Sequence, residues 1–303
     1  MDTIFIKAGS YIFIIIAAYL LKKIGLFGDK DQQTIMKLIM NVTLPAAVVS
    51  GFSHFERDFS LILVTMLGLF MNLIMIGIGY LIALKKGKEE KAFNIINYSG
   101  YNIGTFAMPY LQNFLGNMGI VVACLFDAGN AIMCTGITYA IASQIVGREK
   151  SSYKEFLKKI FSSVPFDLYL IMLFCYFTDF RFPEYIYSIA SPIGKANPFL
   201  AMFMIGLSFE VICEKKVLKE VGMTLVIRYS IAAIVAYGVY NYLPFESEVR
   251  RVITLIVFAP MSALNIINTI RCNGNKEKSG LINSMSILIS LTIMTSLIII
   301  WKL

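Results

Sequence analysis

Two ionisable side chains stand where ionisation is most expensive. Asp127 falls about nine residues into an apolar run, or ~13 Å deep at the α-helical rise. Arg228 falls near the middle of another such run. A charge at that depth in hydrocarbon costs roughly 2.5–3.5 kcal/mol, so each needs a partner or a task. The residues leave two readings open. Either the charges are neutralised structurally, by each other or by amides such as Asn130, or they handle a substrate or a proton. Two further groups could act on a solute. "NIGTFAMP" carries Asn102, Gly104, Thr105 and Pro109, and "FAPMSALNIIN" carries Pro260, Ser262, Asn265 and Asn268. Proline has no N–H and its ring clashes with the carbonyl four residues back, so Pro109 frees the carbonyl of Thr105 and Pro260 that of Ile256. Lipid cannot satisfy those groups; they are tolerated only inside protein or beside a watery cavity. Half-helices that begin at such breaks would aim N–H groups and a positive dipole end at the cavity, which suits a carboxylate.

Covalent catalysis is not indicated. No HExxH, GxSxG or GxGD pattern occurs. The single histidine, His54, has no metal-binding company, and Cys124, Cys134, Cys175, Cys213 and Cys272 show no paired spacing. No metal, cofactor or disulfide is expected.

The elements that must position these residues are membrane helices. Of the 303 residues 57% are hydrophobic and only 15% charged, against about a quarter charged in soluble domains. Charge-free runs recur along the chain, and a crossing of about 20 residues divides them into ten helices. They are predicted near 4–22, 32–53, 59–84, 92–115, 118–146, 159–178, 184–212, 217–242, 249–270 and 279–301. Lys and Arg set the orientation, because cytoplasmic loops carry the excess: 19 of the 27 lie on the connections after helices 1, 3, 5, 7 and 9. Both termini are therefore expected outside, in a multi-pass protein of the cytoplasmic membrane. The net charge of +8 is explained by this asymmetry and gives no reason to invoke nucleic acid.

Five helices on each side of a basic loop turn the second half over. The expected fold is all-α, a 5+5 inverted repeat of residues 1–146 and 159–303 joined by a cytoplasmic linker, 147–158. Helices 4 and 9 are broken near the bilayer centre, with Pro109 and Pro260 in matching places. The second span of each half carries another proline, Pro45 and Pro198. Inverted repeats with interrupted helices are the sequence signature of secondary transporters. Asn41, Thr43 and Pro45 in "MNVTLPAAVV", with Asn197 in "ANPF", are candidates to border the cavity from the opposite side, a kink being the alternative. Asp167 and Glu210 fall nearer the interfaces, where solvation suffices.

With "NVTLPA" upstream and "FDAGNA" downstream of "NIGTFAMP", and "FAPMSALNIIN" near the end, the chain resembles the auxin efflux carrier family of permeases, distantly related to the plant PIN auxin carriers. The resemblance runs over essentially the whole length. It implies a scaffold of helices 1, 2, 6 and 7, a mobile transport bundle of helices 3–5 and 8–10, crossing of helices 4 and 9, a homodimer and elevator-type alternating access. It also implies a small organic anion as substrate, auxin-like acids, malate and malonate being among those suggested. Asn102, Pro109 and Pro260 match the crossover residues, and Asp127 with Asn130 matches a pair on helix 5. Ala107 departs from the glycine usual before the proline. A membrane-embedded enzyme and a channel or sensory receptor are the competing classes; no convergent acid pair, continuous polar pore or output domain supports them.

Overall fold

In the computed structural model of the chain, residues 2–53, 58–148, 157–158, 160–209 and 215–302 are described. His54, Glu210, Cys213 and most of the 147–158 linker lie outside them. The fold is all-helical, and one isolated antiparallel bridge, Tyr101 to Met261, is the only β pairing among the described residues. Among the described residues six helices are long and apolar enough to cross a membrane: Phe5–Lys23, Asp29–Gly51, Phe59–Ile82, Ile103–Ile145, Val217–Tyr242 and Lys276–Trp301. Their composition accounts for this, since they are the charge-poor runs of the sequence. Ile103–Ile145 is bent back on itself at Gly116, where φ is +56°. Shorter helices complete the chain: Lys88–Tyr98, Val164–Thr178, Glu184–Lys195, Asn197–Ser208, Ser247–Val257 and Leu264–Arg271. The stretch expected as one helix over 184–212 is divided at Ala196, with Pro198 in the first turn of the second piece.

Two discontinuities interrupt the backbone, at residues 99–102 and 258–263. The second contains Pro260, as expected. The first is displaced: Pro109 does not make it. Instead Pro109 sits in the first turn of the helix that begins at Met108, just after a π-helical turn, Ile103–Ala107. There the Met108 N–H reaches back five residues to the Ile103 carbonyl, and the wider turn makes room for a proline ring that an α-turn would force against the chain. Pro45 is absorbed in the same way, after the π turn Ile39–Thr43, with Leu44 N–H on the Ile39 carbonyl. The first break is made by Gly100, whose φ of +82° is open to glycine at little cost.

The helices pack as two sets joined through Met108–Ile132, which also touches Leu44–Gly51, Val164–Thr178 and Asn197–Ser208. Asp2–Lys23 lies along Asn197–Ser208, and Leu44–Gly51 packs on Glu184–Lys195 and Val164–Thr178. In the other set Ile62–Ile82 packs on Lys88–Tyr98 and Met108–Ile132, while Lys215–Tyr242 packs on both Ser247–Val257 and Lys276–Trp301. The crossing of Ile62–Ile82 with Met108–Ile132 depends on reciprocal glycines. A Cβ on Gly68 would strike the Phe126 carbonyl and one on Gly129 the Thr65 carbonyl, so the two backbones touch directly. Asn97 links the two broken spans to the last helix: its Nδ2 donates to Thr269 Oγ1 (2.9 Å) and its Oδ1 accepts from Ser279 Oγ (2.6 Å).

Candidate functional site: two paired backbone breaks between cavities

A helix broken at membrane depth must place every freed N–H and C=O. The first break does so with side chains from four other elements. Asn265 Nδ2 donates to the Ser99 carbonyl (2.7 Å), and Gly100 N–H donates to Asn72 Oδ1 (2.7 Å). Asn130 grips both polar groups of Tyr101: its Oδ1 accepts from the Tyr101 N–H (3.1 Å) and its Nδ2 donates to the Tyr101 carbonyl (2.9 Å). Asn102 N–H donates across to the Pro260 carbonyl (2.9 Å), which ties the two breaks together beside the Tyr101–Met261 bridge. Arg228, only 2% exposed, donates to the carbonyls of Tyr98 and Gly100 and lies over the Tyr101 ring at 4.5 Å. It thus sets a cation at the carbonyl end of Lys88–Tyr98, where the helix dipole favours one.

Two cavities meet at this joint. One, of about 290 Å³, is lined by Asn102, Gly104, Thr105, Asp127, Asn130 and Ser262, with Met40, Leu44, Phe166 and Tyr169 facing them. The other, of about 360 Å³, is lined by Gln32, Asn102, Thr105, Ser208, Lys276 and Asn283, among others. Met36, Asn102, Thr105 and Ala263 belong to both walls. Gln32 and Lys276 stand at the first turns of their helices and Ser163 just before Val164, so both cavities approach the same face. These are ligand-sized volumes, roughly the lower end of the range for small-molecule sites. The Asn102 side chain accepts from Thr105 Oγ1 through Oδ1, which leaves its Nδ2 as a donor at the shared wall. Ala107 N–H bonds to the Asn102 carbonyl (3.1 Å), so the amides of Ile103 to Thr105 open the half-helix ahead of it.

Of the neutralisations left open for Asp127, the pairing with Arg228 is not formed and the one with Asn130 is. Asp127, 8% exposed, accepts from Asn130 Nδ2 (2.8 Å), and its Oδ2 stands beside the Tyr169 hydroxyl, both close to Gly104. Asp127 therefore helps to orient the amide that grips Tyr101. Asn265 and Pro260 hold the joint rather than line a cavity wall, and Pro109 is buried in its helix. Of the residues expected on the opposite side, Asn41 is exposed and donates to its own helix at Lys37, while Thr43 Oγ1 donates to Asn197 Oδ1 (3.0 Å). Neither cavity is lined by Asn41, Thr43, Pro45 or Asn197. Met36, Met40, Leu44, Phe166 and Met204 supply that wall instead.

Asn72 and Ser286 are partners of the joint beyond the expected residues, and Tyr169 stands beside Asp127. Asn72 was visible as an amide inside the charge-free run Phe59 to Leu84, a position that demands a partner in lipid. Ser286, whose Oγ accepts from the Met261 N–H (3.1 Å), and Tyr169 carry no comparable signal.

A family model described as "Membrane transport protein" matches residues 4–160. A curated relative, an "Uncharacterized transporter" of Methanothermobacter thermautotrophicus, is 26% identical over 148 residues, 47% of this chain. The chain spans about half the length of that relative, 48%.

Proposed function

Since the chain belongs to the membrane transport protein family, the auxin efflux carrier permeases, we propose that it is a secondary carrier of a small organic anion, such as a carboxylate or an auxin-like acid. The joint between Asn102 N–H and the Pro260 carbonyl, set in the wall shared by two cavities, carries this reading. In it Asn102, Gly104, Thr105, Ser262 and the opening amides of the half-helix at Ile103 face the anion. Asn130, Asn265, Pro260 and Arg228 hold that surface in shape.

The chain crosses the membrane ten times in this reading, as two inverted sets of five divided at 147–158, with both termini outside a cytoplasmic membrane. Helices 1, 2, 6 and 7 form a scaffold, and helices 3–5 and 8–10 carry the anion past it. The apolar wall of Met36, Met40, Leu44, Phe166 and Met204 supports such sliding, because thioether and aliphatic surfaces re-pack at small cost. A homodimer joined through the scaffold completes the proposal.

Counterflow in proteoliposomes tests it, with a panel of mono- and dicarboxylates and an aryl acetate. Saturable counterflow is expected from the wild type, with a loss of about 10-fold or more in Asn102→Ala, about one lost hydrogen bond to a charged group. Unsaturable flux would instead make the protein a channel, and chemical conversion of the acid an enzyme.

A further inference from the structure

Lys195 is the intramembrane cation that the joint does not use. It ends the helix Glu184–Lys195, about 16 Å along that helix from Glu184, near half the thickness of a hydrocarbon core. It is exposed and, among the described residues, makes no ion pair and no hydrogen bond. An uncompensated ammonium at that depth is tolerated when it faces water, and such residues mark ion and substrate paths. Lys195 does face a cavity, of about 600 Å³, walled by Ser50, Gln112, Ser188 and Ser191 with Glu184 in the wall a helix length away. Ser50 and Met36 stand about 21 Å apart along one span, so this cavity approaches the face opposite to the other two. Its floor is polar: Gln112 Nε2 donates to the Gly194 carbonyl (3.1 Å), while Gln112 Oε1 is a buried acceptor that calls for a donor such as water.

We propose that this cavity is a docking vestibule for the carried carboxylate on the second face, with Lys195 Nζ as its charged contact and the Ser188 and Ser191 hydroxyls as its donors. The inference rests on the carrier reading above. It adds a site on the scaffold side, distinct from the joint at Asn102 and Pro260. Gln112 belongs to the half-helix that follows the first break, so its bond to Gly194 couples the floor of the vestibule to the joint.

Two measurements test the vestibule separately. In sided proteoliposomes, Lys195→Gln is expected to raise the half-saturating carboxylate concentration about 10-fold at the vestibule face and leave the other face within about 2-fold, while Lys195→Arg stays near wild type. Equal effects at both faces, or none, would overturn the proposal. The second readout needs no transport. Ser191→Cys is labelled with an anionic and a cationic methanethiosulfonate, with rates taken above the background of the chain lacking that cysteine. The anionic-to-cationic rate ratio is expected to fall about 10-fold when Lys195→Gln is added; an unchanged ratio, or a cysteine that aqueous reagent does not reach, sinks the vestibule. Labelling as expected in a protein that carries no carboxylate would instead fault the carrier reading.

Discussion

The two backbone breaks solve one problem in different ways. At residues 99–102 the freed groups are held by side chains brought from far along the chain: Asn72, Asn130, Arg228 and Asn265. At residues 258–263 most bonds are local. Phe258 N–H returns to Leu255, Ala259 N–H to Ile256 and Leu264 N–H to Ser262 Oγ, with Ser286 and Asn102 as the distant partners. The first break is therefore a product of tertiary structure, and the second is closer to an ordinary turn that leans on the first. Proline explains part of the difference. Pro260 lies inside its break and removes one donor that would need placing, whereas Gly100 keeps its N–H and must have Asn72.

This contrast can be broken by experiment. Asn130→Leu should have the largest effect, because it strands the Tyr101 N–H and carbonyl, Asn72 Nδ2 and the Asp127 carboxylate at once. About 3 kcal/mol is expected, from four bonds at roughly 0.6–1 kcal/mol each, read as a lowered unfolding midpoint in detergent together with lost counterflow. Arg228→Met should follow at about 2 kcal/mol, since two buried carbonyls lose a charged donor. Ser286→Ala, at the second break, should cost only about 1 kcal/mol. If it costs as much as Asn130→Leu, the two breaks are equally dependent on distant partners and the contrast fails. Asp127→Asn should be the mildest for stability, within about 0.5 kcal/mol, because an amide oxygen can still accept from Asn130. Its transport should lose dependence on pH across the acidic to neutral range; a pH profile like that of the wild type would confine Asp127 to orienting Asn130.

Much of the helical framework was legible from charge-free runs alone, and so was the turn at Gly116. Prolines were a less faithful guide. Pro109 pointed to the right helix but the wrong residues, because a π turn can absorb a proline ring and a glycine with positive φ can break a helix without one. The site was legible as a neighbourhood: Asn102, Thr105, Asp127, Asn130 and Ser262 do line one cavity. Their division of labour was not. Whether an amide meets a solute or a backbone group depends on which helices cross, and that depends on contacts such as Gly68 on the Phe126 carbonyl, which leave no periodic trace in the chain. The opposite wall was misplaced for the same reason. Thr43 and Asn197 looked available as polar residues, yet they bond to each other across the helix packing.

The bridge from Tyr101 to Met261, gripped from its other flank by the Asn130 carboxamide, amounts to a scrap of sheet one rung long. A rung cannot be half open: it is kept or lost whole, and so the recess beside it has one shape while the bridge stands. In the carrier proposed above, a solute that meets this recess on either side of a barrier would be held with the same intrinsic strength, and direction would have to come from concentrations, voltage or a co-travelling ion.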